Sequence, residues 1–569
     1  MVLLLVNVPL FVRMPLDTDI TLYDLCARSL LRGGVEYRDI FNQGMPGMTW
    51  LHAAVRATFG WSWQAIRCVD LVIVGASFLL LVRWLRLIQR PWTACVWAAT
   101  ALAAFYFSTG EGNHCQRDVW MLLPALGALS LRGRQLARLE RSNVRLTTIA
   151  NESAVEGFCW ALAFWIKPFV AAPALACWLV GALWTLRAVP RSGRMVVADA
   201  AGVLLGGLVA GAIGMAWLMY AGAWPYFLEI MRDWNPEYFQ FARSIGWTPA
   251  RMAAKFQLFF PWLLVHLLAV PLAIYFIGRA LRSPRGPAVE RRRNQALLAG
   301  FYLGWLAQSI WPQNLLEYIM VPPMLLGMAV VASVEPPLRD RFLRGLTGAN
   351  CRWPLQRRLD LRSVRGDRRA WLCLFAGFAA LAMARHPTFM PHRLLLWPRC
   401  WHEATNPELL DGLTLMDVAD WQELDKVRNY LHLHGMGKGA ITCYSLGTQV
   451  LSLQLDVEPS TRFVYLDQMI TCFVRHRQQI LKEVMESPQR YVVTDLRSIG
   501  FTRDRAVDAM LLGPHDLQLL LPEELRSQYP WCEPVVVRAG LYSVHEVRTP
   551  GAHAAVQPGN GPGKSSLLR

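Results

Sequence analysis

Two carboxylates, Asp17 and Asp19, flank Thr18 just after the N-terminal apolar run MVLLLVNVPLFV. Beside an apolar wall a carboxylate loses hydration, and its pKa rises toward the range in which it can take a proton from a hydroxyl. The same residues have a plainer reading, with Asp19 capping a helix over 20–32 and Asp17 a solvated loop charge. A second polar knot, Ser108-Thr-Gly-Glu111-Gly-Asn-His114-Cys-Gln116-Arg117-Asp118, is denser than a short connection needs. Glu111, His114, Arg117 and Asp118 put proton donors, proton acceptors and a fixed cation into one short stretch. Lys167 interrupts the apolar run WALAFWIKPFVAAPAL just before Pro168. It either snorkels to an interface or binds a phosphate. Glu317 and Tyr318 end a short polar turn that starts at Trp311. The His114…Asp118 spacing is not that of zinc ligands, and the 12 Cys include no CxxC pair, so no metal site is assigned and no cofactor is named, with a divalent metal left as the alternative.

The elements around these residues are mostly apolar helices. The chain of 569 residues is 54% hydrophobic and only 17% charged, with 24 Trp and 24 Phe. Apolar runs near 1–12, 65–82, 92–108, 119–131, 153–166, 168–186, 197–222, 256–278, 295–312, 316–334 and 371–385 approach the length of a membrane span, about eleven in all. The expected fold is therefore an α-helical polytopic membrane protein. Asp17 and Asp19 precede an amphipathic run carrying Leu22, Leu25, Cys26, Ser29 and Leu30, which Gly33-Gly34 stops. Pro46 opens a second short helix ending near Gly60. Both helices have the pattern to lie flat on the outer face.

The net charge of +17 does not point to nucleic acid, because the arginines cluster in short connections between apolar runs. If residues 14–64 face outward, the alternate connections carry Arg83, Arg86 and Arg90; Arg132, Arg134, Arg138, Arg141 and Arg145; Arg187, Arg191 and Arg194; Arg279, Arg282, Arg285 and Arg291–Arg293; and the ten Arg of 336–370. Each connection gives the same orientation. The aromatic stretch 223–255, with Trp224, Tyr226, Trp234, Tyr238 and Trp247, falls outside, as an interface belt or a sugar-stacking surface.

From residue 386 the composition changes. Strand-like runs at 440–444, 462–466, 491–494, 534–537 and 541–547, with helical patterns at 418–434 and 468–486, predict an extracytoplasmic α/β domain over 386–550. The division is thus 1–385 transmembrane, 386–550 outer domain, and 551–569 a disordered tail rich in Gly, Pro and Ser.

One resemblance joins these features. Asp19-Ile-Thr-Leu-Tyr23, then Leu30-Leu-Arg-Gly33-Gly34, Tyr37-Arg-Asp39, Pro46-Gly47 and Phe59-Gly60, resembles the first periplasmic loop of the C-type membrane glycosyltransferases. The group in question holds the protein O-mannosyltransferases and lipid A aminoarabinose transferases, the family 39-like set, and the likeness covers roughly residues 1–335. It implies a multi-pass protein of the inner (plasma) membrane with juxtamembrane helices outside. It implies a sugar donor on a polyprenyl phosphate, a lipid, glycan or protein acceptor, and inversion at the anomeric carbon. Asp19 falls on the family's catalytic acidic position and would be the general base, or would orient the acceptor, and Asp118 falls near the family's second acidic site. Lys167, Arg117 and His114 would hold the donor phosphate, with Glu111 beside them. Two departures stand out: Ile20 follows Asp19 where relatives often carry Glu, leaving Asp17 as the only nearby substitute, and Glu317-Tyr318 stands where many carry His. The alternatives are a transporter or flippase, which needs ionisable groups deep in its spans, and an inactive scaffold with an outer binding domain.

Overall fold

The computed structural model describes residues 2–335 except 142–143, 190–191, 245–247, 287, 312 and 314–316; 377–385 except 379 and 383; 391–501 except 417–418; and 521–548. The described chain is mostly helix up to residue 335: α1 (Val2–Arg13), α2 (Thr18–Leu31), α3 (Gly47–Phe59), α4 (Trp63–Leu87), α5 (Trp92–Ser108), α6 (Arg117–Trp120), α7 (Leu122–Arg141), α8 (Leu146–Ile166), α9 (Ala171–Ala188), α10 (Ser192–Tyr220), α11 (Trp224–Glu229), α12 (Asn235–Ser244), α13 (Pro249–Phe259), α14 (Val265–Arg282), α15 (Val289–Ile310) and α16 (Val321–Ala332). Among the described residues, four stretches are long and apolar enough to cross a membrane: Trp63–Leu87, Pro168–Ala188, Ser192–Tyr220 and Trp262–Arg282. Trp92–Ser108 and Glu317–Ala332 are shorter apolar helices. The expected run at 371–385, the arginine-rich 336–370, Trp247 and the tail fall wholly or largely outside the described residues.

The chain divides into two units. The first joins Met1–Val8, Val69–Ala212 and Met252–Leu395. Its helices pack through small residues. Gly202 and Gly206 of α10 lie so close to the Ala150 and Ala154 carbonyls of α8 that a Cβ at either would collide with backbone. Such close approach of helix backbones is how apolar helices gain contact where lipid removes the hydrophobic drive. The other face of α10 turns Leu204, Leu205 and Leu208 outward.

Many of the arginines expected in connections instead lie on helices of this unit. Residues 132–141 continue α7, and Arg132 is buried. Its guanidinium meets Glu156 at 2.9 Å and Asp199 at 2.6 Å, and Ser153 Oγ donates to Asp199 at 2.6 Å. Arg293, at the start of α15, meets Glu140 at the end of α7 at 2.5 Å. Trp184 Nε1 donates to the same Glu140 at 3.0 Å, and Arg187 donates to the Leu281 carbonyl at 3.1 Å. The ends of α7, α9 and α14 and the start of α15 thus gather at one end of the unit.

The second unit joins Pro9–Cys68, Ile213–Arg251 and Leu396–Arg569. A four-stranded sheet runs β1 (Ile441–Cys443), β2 (Tyr491–Asp495), β4 (Tyr542–Glu546) and β3 (Val535–Ala539) in that spatial order. β1 and β2 are parallel, and the other pairs antiparallel, with a bulge in β3 between Val535 and Val537. Gly540, at φ +56°, turns the β3–β4 hairpin. Val427 and Leu431 of helix Trp421–Leu433 bury against Ile441, Val493 and Val544.

Two expectations for this region change. Residues 462–466 form no strand. The Arg462 carbonyl accepts from Phe41 N at 2.8 Å, so backbone that reads as a strand is satisfied by the first loop instead. Phe463 packs on Phe41 and Trp234. The helix expected over 468–486 is two, Leu466–Cys472 and Arg477–Met485. At the break, the Glu237 carboxylate accepts from Arg475 N and lies 2.6 Å from His476 Nδ1, giving the interrupted backbone another partner.

Candidate active site

The candidate residues fall in both units. In the second, the helix cap is Asp17, not Asp19. Asp17 has extended backbone, and its carboxylate accepts from Asp19 N at 3.2 Å, with α2 starting at Thr18. Asp19 stands in the first helical turn, where the orphan N–H groups favour a negative charge. Both are half-buried. The chain leading to them is clamped by Arg67, a fully buried residue that donates to the carbonyls of Met14 (3.3 Å) and Pro15 and stacks on Phe11 at 5.0 Å.

Below this turn, α2 and α3 are locked together. Asp24 is buried, its Oδ1 lies 2.8 Å from His52 Nδ1 and accepts from Arg56 Nε at 2.8 Å, and Arg56 also donates to Oδ2. Burial pushes the Asp24 carboxyl up, but His52 and Arg56 outweigh it and hold it below the ordinary carboxylate range. Arg56 reaches on to the carbonyls of Gly60 (3.1 Å) and Ser62 (2.6 Å), fixing the exit of α3. Gly33 and Gly60, at φ +83° and +79°, end the two helices in a conformation that favours glycine. Glu36 is buried between them, and loss of hydration pushes its carboxyl up to about 8 although Thr49 and Trp50 pull the other way.

In the first unit, the stretch 108–118 is folded inward. Asp118 is fully buried, and Lys167, at the break between α8 and α9, puts Nζ 2.7 Å from Asp118 Oδ2. Asp118 Oδ1 has no hydrogen-bond partner among the described residues. The Lys167 ammonium lies 5.3 Å from the Tyr318 ring centre and 5.8 Å from that of Phe169. The turn Glu317–Met320 packs on both Glu111–Asn113 and Arg117–Trp120. The structure thereby brings Glu111, Arg117, Asp118, Lys167, Glu317 and Tyr318 into one neighbourhood.

His114 is spent differently. Its Nε2 lies 2.9 Å from the Tyr106 carbonyl and 3.0 Å from Thr109 Oγ1, and its ring packs on Tyr106. The Tyr106 hydroxyl donates to Asp70 at 2.6 Å, and Trp120 Nε1 donates to its other oxygen at 2.7 Å. Asp70, buried within α4, was not singled out from the sequence, and neither were Asp24, His52, Arg56 and Arg67. A lone charge inside an apolar or amphipathic run was the only signal each offered.

Asp118 lies in α6, just ahead of α7, and Lys167 just past the end of α8. Glu140 and Arg293 meet near the other end of α7, about 30 Å along a helix of that length. A carboxylate held by an ammonium, with one oxygen left to accept, can bind a hydroxyl or exchange its cation with a phosphate. Among the described residues no three His, Cys, Asp or Glu side chains converge as metal ligands.

No protein-family model matches the chain, and no curated protein matches it. Among the solved structures that resemble it are two of an archaeal oligosaccharyltransferase. The apo crystal structure of the Archaeoglobus fulgidus oligosaccharyltransferase is 14% identical with a TM-score of 0.44, over 89% of this chain and 70% of that one. The archaeal oligosaccharyltransferase AglB from Archaeoglobus fulgidus, in complex with an inhibitory peptide and a dolichol-phosphate, is 12% identical with a TM-score of 0.41, over 87% and 69%. With TM-scores below 0.5, neither likeness decides the fold or the activity of this chain.

Proposed function

We propose that the chain is an integral-membrane glycosyltransferase that moves a sugar from a polyprenyl phosphate to a hydroxyl of an extracytoplasmic acceptor, with inversion. The observation that carries this reading is the buried Asp118–Lys167 pair, with one Asp118 oxygen unpartnered, at the end of α7 and α8 away from the arginines. A structural ion pair in an apolar bundle fills both oxygens, because an orphaned acceptor there costs about 1–3 kcal/mol. An acceptor left open beside an ammonium is able to serve a ligand.

The arginine-rich helix ends favour the cytoplasmic side, so the opposite end faces outward. Nucleotide sugars are cytoplasmic, and a donor used outside therefore arrives on a lipid. In the reaction the bond from the anomeric carbon to the phosphate oxygen breaks as the bond to the acceptor oxygen forms. The acceptor's proton goes to Asp19, and polyprenyl phosphate leaves with the electron pair. Lys167 and Arg117 stabilise the charge that gathers on the leaving phosphate. Asp118 accepts from a sugar hydroxyl, and Glu111, Glu317 and Tyr318 line the same neighbourhood. The membrane domain reads as about eleven spans over 1–385, with an outer domain over 386–550.

Asp19→Asn in the full chain abolishes transfer while membrane insertion and thermal stability stay as in the wild type. Glycan and lipid mass spectrometry of a deletion strain, complemented with each form, reads the result. Normal product from the Asn form removes Asp19 from the chemistry.

A further inference from the structure

The second unit holds an acceptor for a hydrogen bond that no described residue uses. Gln449 ends a 3-10 turn, Leu446–Gln449, that follows β1 and packs on α2. Its side-chain Nε2 donates to the Thr18 carbonyl, between Asp17 and Asp19. A carbonyl can be met only by the N–H side of the amide, so this bond fixes which way the amide points. Oε1 is left with no hydrogen-bond partner among the described residues, although Gln449 is only 1% exposed. A second bond holds the same segment in register further along α2, where Arg28 donates to the carbonyls of Ser452 (2.8 Å) and Val457 (2.7 Å). The segment cannot drift from the Asp19 turn without breaking both.

We propose that Gln449 is a positioning residue for the acceptor, through which the C-terminal domain selects the hydroxyl that Asp19 deprotonates. This rests on the glycosyltransferase reading above. The acceptor it fits carries a hydrogen-bond donor, N–H or O–H, beside the reacting hydroxyl. That donor satisfies Gln449 Oε1 and so holds the hydroxyl at the Asp19 turn. A substrate without the neighbouring donor leaves Oε1 unsatisfied, so it is selected against.

The test has two arms on the full-length protein in detergent. In the first, the Asp19 carboxyl is coupled to glycine ethyl ester with a water-soluble carbodiimide, and the modified peptide is quantified by mass spectrometry. Gln449→Ala raises the coupling rate about threefold or more, whereas Lys426→Ala, on an exposed face, leaves it unchanged. Equal rates in all forms overturn the placement, whether or not the protein transfers sugar. In the second arm, octyl glycosides are offered as acceptors and lipid extract of the producing membranes as donor. Gln449→Ala raises the acceptor KM about tenfold, the effect of one hydrogen bond, and leaves the donor KM unchanged. A merely structural role moves both KM values together with the melting temperature, and that result overturns the proposal. Absence of transfer by the wild type removes the glycosyltransferase reading instead, and the coupling arm still decides the geometry.

Discussion

Asp24 and Asp118 are both buried aspartates facing a cation, yet they are built to opposite ends. Asp24 lies between α2 and α3 and has both oxygens filled by His52 and Arg56. Asp118 lies at the start of the first unit's bundle and has one oxygen filled by Lys167 and one with no partner among the described residues. Burial and an ion pair are common to the two and so do not mark a site. What separates them is whether the carboxylate's capacity to accept is used up. Asp199 belongs with Asp24, since it accepts from Arg132 on one oxygen and from Ser153 on the other. This gives charge within a bundle a structural role, where a transporter needs groups that exchange partners.

The contrast breaks most clearly at Asp118. Asp118→Asn lowers transfer about a hundredfold or more, as expected for a lost charged contact in a shielded site. It also strands the Lys167 ammonium, so the loss alone is ambiguous. The double variant Asp118→Asn/Lys167→Met removes both charges and restores the melting temperature, but not transfer. Product formation by the double variant, read by mass spectrometry, makes the pair as structural as Asp24. Asp24→Asn has the reverse profile. It leaves Arg56 uncompensated, which costs about 3–5 kcal/mol of stability. Whatever fraction stays folded keeps its acceptor and donor KM values. Denaturation curves together with kinetics check this, and a lost kcat in the folded fraction moves Asp24 into the chemistry.

Local features of the chain were legible, and long-range partnerships were not. The spacing of Leu22, Leu25, Cys26 and Leu30, with Gly33-Gly34 after it, marked α2, and Pro46 with Gly60 marked α3. The cap was misplaced by two residues, because Asp17 and Asp19 are equivalent in type and only backbone geometry tells which precedes the first turn. The partners of Arg132 lie 24 and 67 residues along the chain, and those of Asp24 lie 28 and 32. No local pattern encodes such pairs, so Arg132 read as a loop cation. Residues 462–466 have the composition of a strand, but their backbone is claimed by the first loop, a tertiary competition that β-propensity does not register. The neighbourhood of Asp118 was legible for the opposite reason: most of its polar residues are crowded into one short stretch of an otherwise apolar chain.

Glu36 offers the finest test of what an unfilled carboxylate does. It is buried, as Asp24 is, but among the described residues no cation faces it, only Thr49 and Trp50, with Cys26 and Tyr37 close by. Its carboxyl titrates at about 8 in the folded chain against an ordinary 4.5. The folded state therefore holds a proton that the unfolded state releases first. The stability linked to that proton is complete below about pH 4.5 and is lost as pH rises through about 8. Glu36→Gln keeps the shape and removes the titration. The variant and the wild type should melt alike near pH 5, and the variant should become the more stable by up to a few kcal/mol by pH 9. Melting curves across that range decide it. Parallel pH profiles mean that a cation or an open water path reaches Glu36, and its kinship would then lie with Asp24 rather than with Asp118.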